Sequence, residues 1–128
     1  MTTKGRILVV DDEIAVGAMI VSLLTRGGCE AEAARNVEQA LRLAQTRDFD
    51  LITLDIELPG TNGFKIYQRL REIPQLKGTP IFFVSDRPTM ENIQRAFDLG
   101  AADFIEKPFE ARDFLSRILS LVEETTTA

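Results

Sequence analysis

The chain alternates short apolar runs with longer segments in which apolar residues recur every three or four positions. Residues 7–10, 50–55 and 81–84 have almost no polar alternation, which is typical of strands buried on both faces of a sheet. Weaker runs at residues 29–33 and 101–105 predict two further strands. Between these runs the spacing predicts five helices, which begin near residues 14, 36, 64, 88 and 110.

Strict alternation of strand and helix predicts an α/β fold. Because βαβ crossovers join parallel strands, we expect a doubly wound, five-stranded parallel sheet with helices on both faces. In the order 2-1-3-4-5, the topological switch falls between the first and third strands. The sequence has no internal repeat, linker or low-complexity segment, so residues 1–128 are predicted to form one domain.

Composition narrows the possible functions. The net charge of −5 argues against a nucleic-acid surface on this chain. The single cysteine allows no internal disulfide, and the absence of histidine excludes His-based catalysis and His metal ligands. No apolar run approaches the roughly 20 residues of a membrane span, and the first residues do not resemble a signal peptide. We therefore expect a cytoplasmic protein that does not contact membranes.

Charged and hydroxyl side chains follow several of the predicted strands. Asp11 and Asp12 come after the first strand, Asp55 ends the third, Ser85 follows the fourth and Lys107 follows the fifth. The carboxyl ends of parallel strands meet at one edge of the sheet, where open α/β folds bind their ligands. We therefore expect three carboxylates in one cleft, with a hydroxyl and an ammonium group nearby.

Clustered carboxylates repel one another and require a cation. Without histidine or a second cysteine, an all-oxygen site favours a hard ion such as Mg²⁺, which binds one or two carboxylates together with phosphoryl oxygens. An Asp nucleophile, a metal, a Lys and a hydroxyl are the parts that phosphoryl transfer to a carboxylate requires. Capping of the following turn remains the alternative role for Asp55 considered by itself.

Taken together and in order, these motifs resemble the receiver domain of two-component response regulators over almost the full chain. The resemblance implies a flavodoxin-like (βα)5 fold similar to that of chemotaxis regulators. The residues that carry it are Asp11-Asp12-Glu13, Asp55 with the segment that continues to Gly63, Ser85, and Lys107-Pro108-Phe109.

The resemblance implies a role for each matching residue. Asp55 would accept the phosphoryl group, while Ser85 and Lys107 would bind that group. Asp12, Asp55 and the backbone carbonyl of Glu57 would bind Mg²⁺ directly, and Asp11 would do so through a water molecule. Two further residues match family positions: Phe104 the rotating switch aromatic, and Pro108 a cis proline.

The resemblance also implies partners and a type of activity. A histidine kinase or histidine phosphotransfer protein would donate the phosphoryl group, and a downstream protein or a separate effector domain would read the result. The chain would assist its own phosphorylation and dephosphorylation without being an enzyme in the usual sense. Whether it acts by itself or as part of a longer chain is left open by the sequence.

Two acidic residues depart from the family pattern. Asp86 follows Ser85, where receivers usually have a small residue, and Glu57 lies two residues after the acceptor. Added negative charge should favour Mg²⁺ and oppose an approaching phosphate, although Arg87 is positioned to offset it. One alternative is that Asp86 caps the next helix. Another is that the chain works mainly as a docking module, with slow or dispensable phosphorylation.

Two other classes of protein are alternatives to a receiver domain. An FMN-binding flavodoxin needs a Ser/Thr/Gly-rich phosphate loop after the first strand, where Asp11-Asp12-Glu13 would repel a phosphate. A haloacid-dehalogenase-type phosphatase needs a second Asp two residues after its nucleophile, where this chain has Glu13 after Asp11. Both classes therefore fit less well than a receiver.

The first helix has no charged residue between positions 14 and 25. Five apolar residues are sufficient for a core stripe: Val16, Met19, Ile20, Leu23 and Leu24. The remaining apolar and small residues are predicted to form a partner-docking surface, which consists of Ile14, Gly17, Ala18 and Val21. Small side chains there would allow a partner helix to approach closely. Scattered surface residues of no consequence are the alternative.

Overall fold

The computed structural model describes residues 3–58 and 60–127, the last four of them by their backbone only. Pro59 of the predicted turn and the terminal Ala128 lie outside the described residues. The strands are β1 (Arg6–Val10), β2 (Glu30–Ala34), β3 (Leu51–Asp55), β4 (Glu57–Leu58), β5 (Thr61–Asn62), β6 (Ile81–Ser85) and β7 (Asp103–Glu106). The helices are α1 (Ile14–Arg26), α2 (Val37–Thr46), α3 (Gly63–Arg71), α4 (Met90–Leu99) and α5 (Ala111–Thr127), with a short 3-10 helix at Pro74–Leu76.

The five long strands form one parallel sheet in the order β2-β1-β3-β6-β7. Counting only these strands, the order is 2-1-3-4-5, so the predicted fold class is confirmed. The sequence did not predict β4 and β5, which form a small antiparallel hairpin after β3. Strands of two residues are too short for a hydrophobic period to be recognised.

The central strands separate two hydrophobic cores. Ile7 and Val9 face one core, whereas Leu8 and Val10 face the other, because successive side chains of a strand point to opposite faces. Every residue of β3 and β6 is buried. This double burial explains why both strands appear in the sequence as continuous apolar runs.

Side-chain caps lie at the beginnings of α2, α3 and α4. Asn36 accepts a hydrogen bond from the Gln39 N–H at 2.9 Å and caps α2, a helix that was predicted to begin near residue 36. At α4, Thr89 accepts a hydrogen bond from the Asn92 N–H at 3.1 Å, and the helix begins at Met90. The alternative role of Asp86 as the cap of this helix is therefore wrong. Helix α5 extends to Thr127, beyond the end predicted near residue 123.

Helix α1 is rotated relative to the prediction. Gly17 is buried, and a Cβ added to it would lie 3.7 Å from the Ala33 Cβ, so the residue faces β2 and not solvent. Met19, predicted to be in the core, is 50% exposed. Ile14 is 65% exposed and Ala18 is also exposed, as expected. A helix that is apolar on all sides contains little information about which face will be buried.

No helix in the described part of the chain combines the length and the apolar character that crossing a lipid bilayer requires.

Phe114 provides a test of the core beneath α5. Its ring is fully buried, lies edge-on to Phe82 at 5.5 Å between centroids and stacks on Phe109 at 4.4 Å. We expect Phe114→Ala to lower the free energy of unfolding in urea by about 3–5 kcal/mol, because it removes these contacts and leaves a cavity. The matched control Phe97→Ala, at a ring that is 46% exposed, should cost about 1 kcal/mol or less. Equal losses in the two variants would contradict this description of the core.

Candidate functional site

Two buried carboxylates lie at the carboxyl edge of the sheet. Asp11 directly follows β1 and Asp55 ends β3, and these strands are neighbours in which Val10 pairs with Leu54. Each Asp is only 3% exposed. Carboxylate oxygens of Asp11, Asp12, Glu13 and Asp55 all lie within 4.8 Å of one another. The predicted convergence of the three Asp residues is confirmed, and Glu13, which was not predicted as a separate site residue, joins them.

Lys107 connects the two buried carboxylates. Its Nζ donates hydrogen bonds to Asp11 Oδ2 at 2.9 Å and to Asp55 Oδ2 at 3.1 Å, and it lies 3.7 Å from Glu13 Oε1. The Lys107 side chain is only 12% exposed. The peptide bond between Lys107 and Pro108 is cis, as the resemblance implied.

The backbone holds the other oxygen of each buried Asp. Asp11 Oδ1 accepts a hydrogen bond from the Glu13 N–H, and Asp55 Oδ1 accepts one from the Glu57 N–H, both at 3.0 Å. In each carboxylate, one oxygen thus accepts a hydrogen bond from the backbone N–H two residues later, and the other accepts one from Lys107. This repeated arrangement orients both carboxylates toward the same space.

Burial changes the acidity of the acceptor candidate. Removal of Asp55 from water raises the pKa of its carboxyl to about 6, against the opposing effects of the Glu57 N–H and Lys107 and with a further increase from the Asp11 charge. Burial by itself would lower the pKa of Lys107, but the hydrogen bonds and charges of Asp11 and Asp55 outweigh it and raise that pKa. The two carboxylates therefore keep the ammonium group charged.

The donor set fits a hard divalent cation. Four carboxylates converge without nitrogen or sulfur ligands, which suits Mg²⁺ better than softer metals. One ammonium group balances only part of the negative charge of Asp11 and Asp55 together with the more accessible Asp12 and Glu13. A divalent cation would compensate the remaining charge.

Ser85 lies beside this cluster at the end of β6, and it is fully buried. Its Oγ accepts a hydrogen bond from the Arg87 N–H at 2.9 Å, and its carbonyl accepts one from the Lys107 N–H at 2.7 Å. The hydroxyl thus stabilises the turn after β6, while Thr89 caps α4. Ser85 therefore does not cap α4.

Phe104 lies on β7 opposite Phe83 of β6. Its ring is partly buried and packs against the core cluster that contains Phe83. Position and partial burial suit a movable aromatic, and the switch role itself stays a prediction.

Gly63 packs against the end of β3 and positions Asp55, a role that no sequence pattern indicated. A Cβ on this residue would lie 2.4 Å from the Asp55 carbonyl oxygen and 2.9 Å from the Ile56 Cα. The Gly63 N–H also donates to the Ile56 carbonyl at 2.7 Å. Only glycine permits the start of α3 to approach the end of β3 this closely. In the sequence, Gly63 was distinguished only as the end of the segment that follows Asp55.

An apolar groove extends from the carboxylate cluster along α1. Val16 and Met19 line it on one side, and Lys107, Pro108 and Phe109 line it on the other. The four residues of the predicted docking surface line a second groove beside it, in which Gly17 is buried. The side of α1 that was expected in the core thus forms part of an accessible wall beside the site.

The protein-family comparison matches residues 7–119 to the response regulator receiver domain. The chain belongs to this family, as the sequence resemblance had indicated. Among its curated relatives are the transcriptional regulatory protein CusR of Escherichia coli K12, 37% identical over 91% of this chain, and the phosphate regulon transcriptional regulatory protein PhoB of Pseudomonas aeruginosa, 34% identical over 93%. The chain covers 51% and 52% of these two proteins, so it spans about half their length.

Solved structures are similar over nearly the whole chain. The chemotaxis protein CheY4 of Vibrio cholerae has a TM-score of 0.86 at 31% identity, over 91% of this chain and 97% of that one. A CheY-like receiver domain protein of Methanospirillum hungatei has a TM-score of 0.87 at 28% identity, over 95% and 96%. NtrX of Brucella abortus matches 98% of this chain with 28% of its own, at a TM-score of 0.89 and 29% identity.

The raised pKa of Asp55 predicts a pH-dependent stability. Between pH 4 and about 6 the folded protein holds a proton that the unfolded chain has lost, so stability falls as pH rises through this interval and stays lower above it. Without divalent cations, Asp55→Asn should therefore be more stable than the wild type at pH 7.5, by about 2–3 kcal/mol, and no more stable near pH 4.

Urea unfolding at several pH values measures this difference. Asp48→Asn, with the same change of charge at an exposed position, should stay within about 0.5 kcal/mol of the wild type. A stabilisation by Asp55→Asn that does not vary with pH would contradict the proposed ionisation.

Gly63→Ala should displace Asp55 directly. The added methyl group cannot fit against the Asp55 carbonyl, so either α3 or the end of β3 must shift. We expect a loss of about 1–3 kcal/mol in the free energy of unfolding and weaker Mg²⁺ binding, measured by thermal shift with and without MgCl₂. Gly78→Ala, which has open space around its added Cβ, serves as the control and should change neither value appreciably. Unchanged Mg²⁺ binding by Gly63→Ala would show that Gly63 does not position the site.

Proposed function

We propose that the chain is a phosphorylation-controlled switch that accepts a phosphoryl group on Asp55, with residues 1–128 acting as one receiver domain. One observation carries this proposal: a buried carboxylate at the end of a central strand shares a lysine ammonium group with a second buried carboxylate. Membership of the receiver family supports it. The donor would be a phosphohistidine of a histidine kinase or of a histidine phosphotransfer protein.

The transfer would exchange one bond to phosphorus for another. A carboxylate oxygen of Asp55 attacks phosphorus, a P–O bond forms, and the P–N bond to the donor histidine breaks, leaving its imidazole to take a proton from solvent. Lys107 already donates to Asp55 and is placed to follow the charge onto the phosphoryl oxygens. Mg²⁺, when bound, would neutralise charge on the transferring group.

The metal would be held by Asp12, Asp55 and the Glu57 carbonyl, and Asp11 would act through water. The convergence of these carboxylates supports this assignment. Glu13 is close enough to contribute charge, or a further ligand.

Capture of the phosphoryl group by Ser85 would change the surface around α4 and β7. The Ser85 hydroxyl would move toward the new phosphoryl oxygens, and the turn after β6 would follow it. Phe104 would then rotate in the space that this turn vacates. A local electrostatic change would thereby bias an element with two arrangements.

The phosphodonor would dock across α1. Ile14, Ala18 and the groove beside Met19 and Phe109 offer exposed apolar surface next to the carboxylate cluster. Partly buried Val21 would support this surface from beneath. Apolar side chains around a charged centre suit a partner helix that carries a reactive histidine.

A docking module with slow phosphorylation is the second candidate. Asp86 is exposed in the groove wall beside Lys107, where its charge would oppose an incoming phosphate. The other acidic departure, Glu57, is paired with Arg87 at 2.9 Å, which offsets its charge and weakens this alternative.

The cellular location and the targets of the switch are also proposed here. Its curated relatives are named as transcriptional regulators, and the matched half corresponds to the present chain. We propose that this chain makes no nucleic-acid or membrane contact itself, acts in the cytoplasm, and controls a downstream protein or an effector domain.

Phosphorylation by a small donor tests this function. After incubation with acetyl phosphate and MgCl₂, we expect one phosphoryl group by intact-mass measurement, and none on Asp55→Asn or after removal of Mg²⁺ with EDTA. Beryllofluoride should shift the amide NMR signals of Ser85, Phe104 and their neighbours. Ser120→Ala, at an exposed position on α5, is the control and should behave as the wild type.

The same experiment separates the two candidates. Absence of both the phosphoryl adduct and the beryllofluoride response would exclude the switch and leave the docking module.

A further inference from the structure

An ion pair connects the two loops that border the carboxylate cluster. Glu57 lies two residues after Asp55, and Arg87 lies two residues after Ser85. The Arg87 Nε is 2.9 Å from Glu57 Oε1. The loop after β3 and the loop after β6 are therefore held together by side chains that belong to neither the predicted acceptor nor the predicted hydroxyl.

The backbones of the same two residues hold the site residues themselves. The Glu57 N–H donates to Asp55 Oδ1 at 3.0 Å, and the Arg87 N–H donates to Ser85 Oγ at 2.9 Å. A continuous chain of contacts thus connects the acceptor carboxylate, through Glu57 and Arg87, to the Ser85 hydroxyl. Any movement of Ser85 toward Asp55 that displaces Arg87 must strain or break one of these contacts.

We infer that the Glu57–Arg87 ion pair is a latch that holds Ser85 in its resting position and opposes capture of a phosphoryl group on Asp55. This inference rests on the proposed function. Both residues act as positioning residues, since they bind the acceptor and the hydroxyl through their backbones. A phosphoryl group would also compete with Glu57 for the Arg87 guanidinium, because it brings added negative charge to the same cleft.

The solvent exposure of Glu57 and Arg87 limits how strongly their ion pair can oppose phosphoryl capture. The two side chains are 71% and 45% exposed, so the pair is a surface ion pair that water and salt weaken. Exposed pairs of this kind change an equilibrium by about two- to fivefold. The latch would thus set the threshold of the switch without preventing its operation.

A double-mutant cycle on beryllofluoride binding isolates the latch from simple charge effects. The variants are Glu57→Gln, Arg87→Gln and both together, titrated with beryllofluoride in MgCl₂ and followed by NMR. Each single variant releases the latch and also alters local charge. The double variant releases the latch only once. Its change in beryllofluoride affinity should therefore be about two- to fivefold smaller than the product of the changes in the two single variants. In about 1 M KCl this coupling should disappear, because salt screens exposed charges.

A second ion pair supplies the control. Arg6 and Glu30 pair at 3.1 Å between β1 and β2, with side chains 37% and 56% exposed. The corresponding cycle with Arg6→Gln and Glu30→Gln should give effects on beryllofluoride binding that multiply without coupling.

The possible outcomes separate the latch from the proposed function. Intact binding with single effects that simply multiply would overturn the latch alone, as would a coupling of the opposite sign or one that persists in high salt. Failure of the wild type to bind beryllofluoride would overturn the proposed function and the latch together.

Discussion

The site depends on one electrostatic arrangement, in which a single lysine ammonium group is shared by two buried carboxylates. Asp11 and Asp55 lie at the ends of adjacent central strands, where water is largely excluded and their charges repel. Lys107 reaches both from the end of the edge strand β7. Without its positive charge, two nearly inaccessible anions would be left in contact, so three separate stretches of chain are coupled by this one contact.

The same arrangement makes ionisation of Asp55 less favourable in the resting protein. Burial raises the pKa of Asp55, which means that its ionised form is held at a cost in the resting protein. In the proposed function, a metal ion or a phosphoryl group with its cation would relieve that cost, since either one would change the charge balance around Lys107. Stability and ligand binding would then be linked through the same carboxylate, Asp55.

Most of the fold follows from local patterns. The continuous apolar runs around Ile7, Leu51 and Ile81 indicated strands with two buried faces, and the structure places them at the centre of the sheet. The acidic and basic residues at strand ends could be predicted to converge because parallel strands share a polarity. Patterns of two residues, such as β4 and β5, were too short to detect. Gly17 and Met19 of helix α1 were predicted on the wrong faces because apolar residues surround the whole helix.

Hydrophobic periodicity predicted the alternation of strands and helices, and the shared polarity of parallel strands predicted that Asp11, Asp55, Ser85 and Lys107 lie at one edge. The order and spacing of the motifs at these positions indicated the family. The tertiary structure alone decided which side of α1 is exposed, why residue 63 must lack a side chain, and that Glu57 pairs with Arg87. These features arise where segments distant in sequence come within a few ångströms of each other. Local periodicity contains no information about such distances.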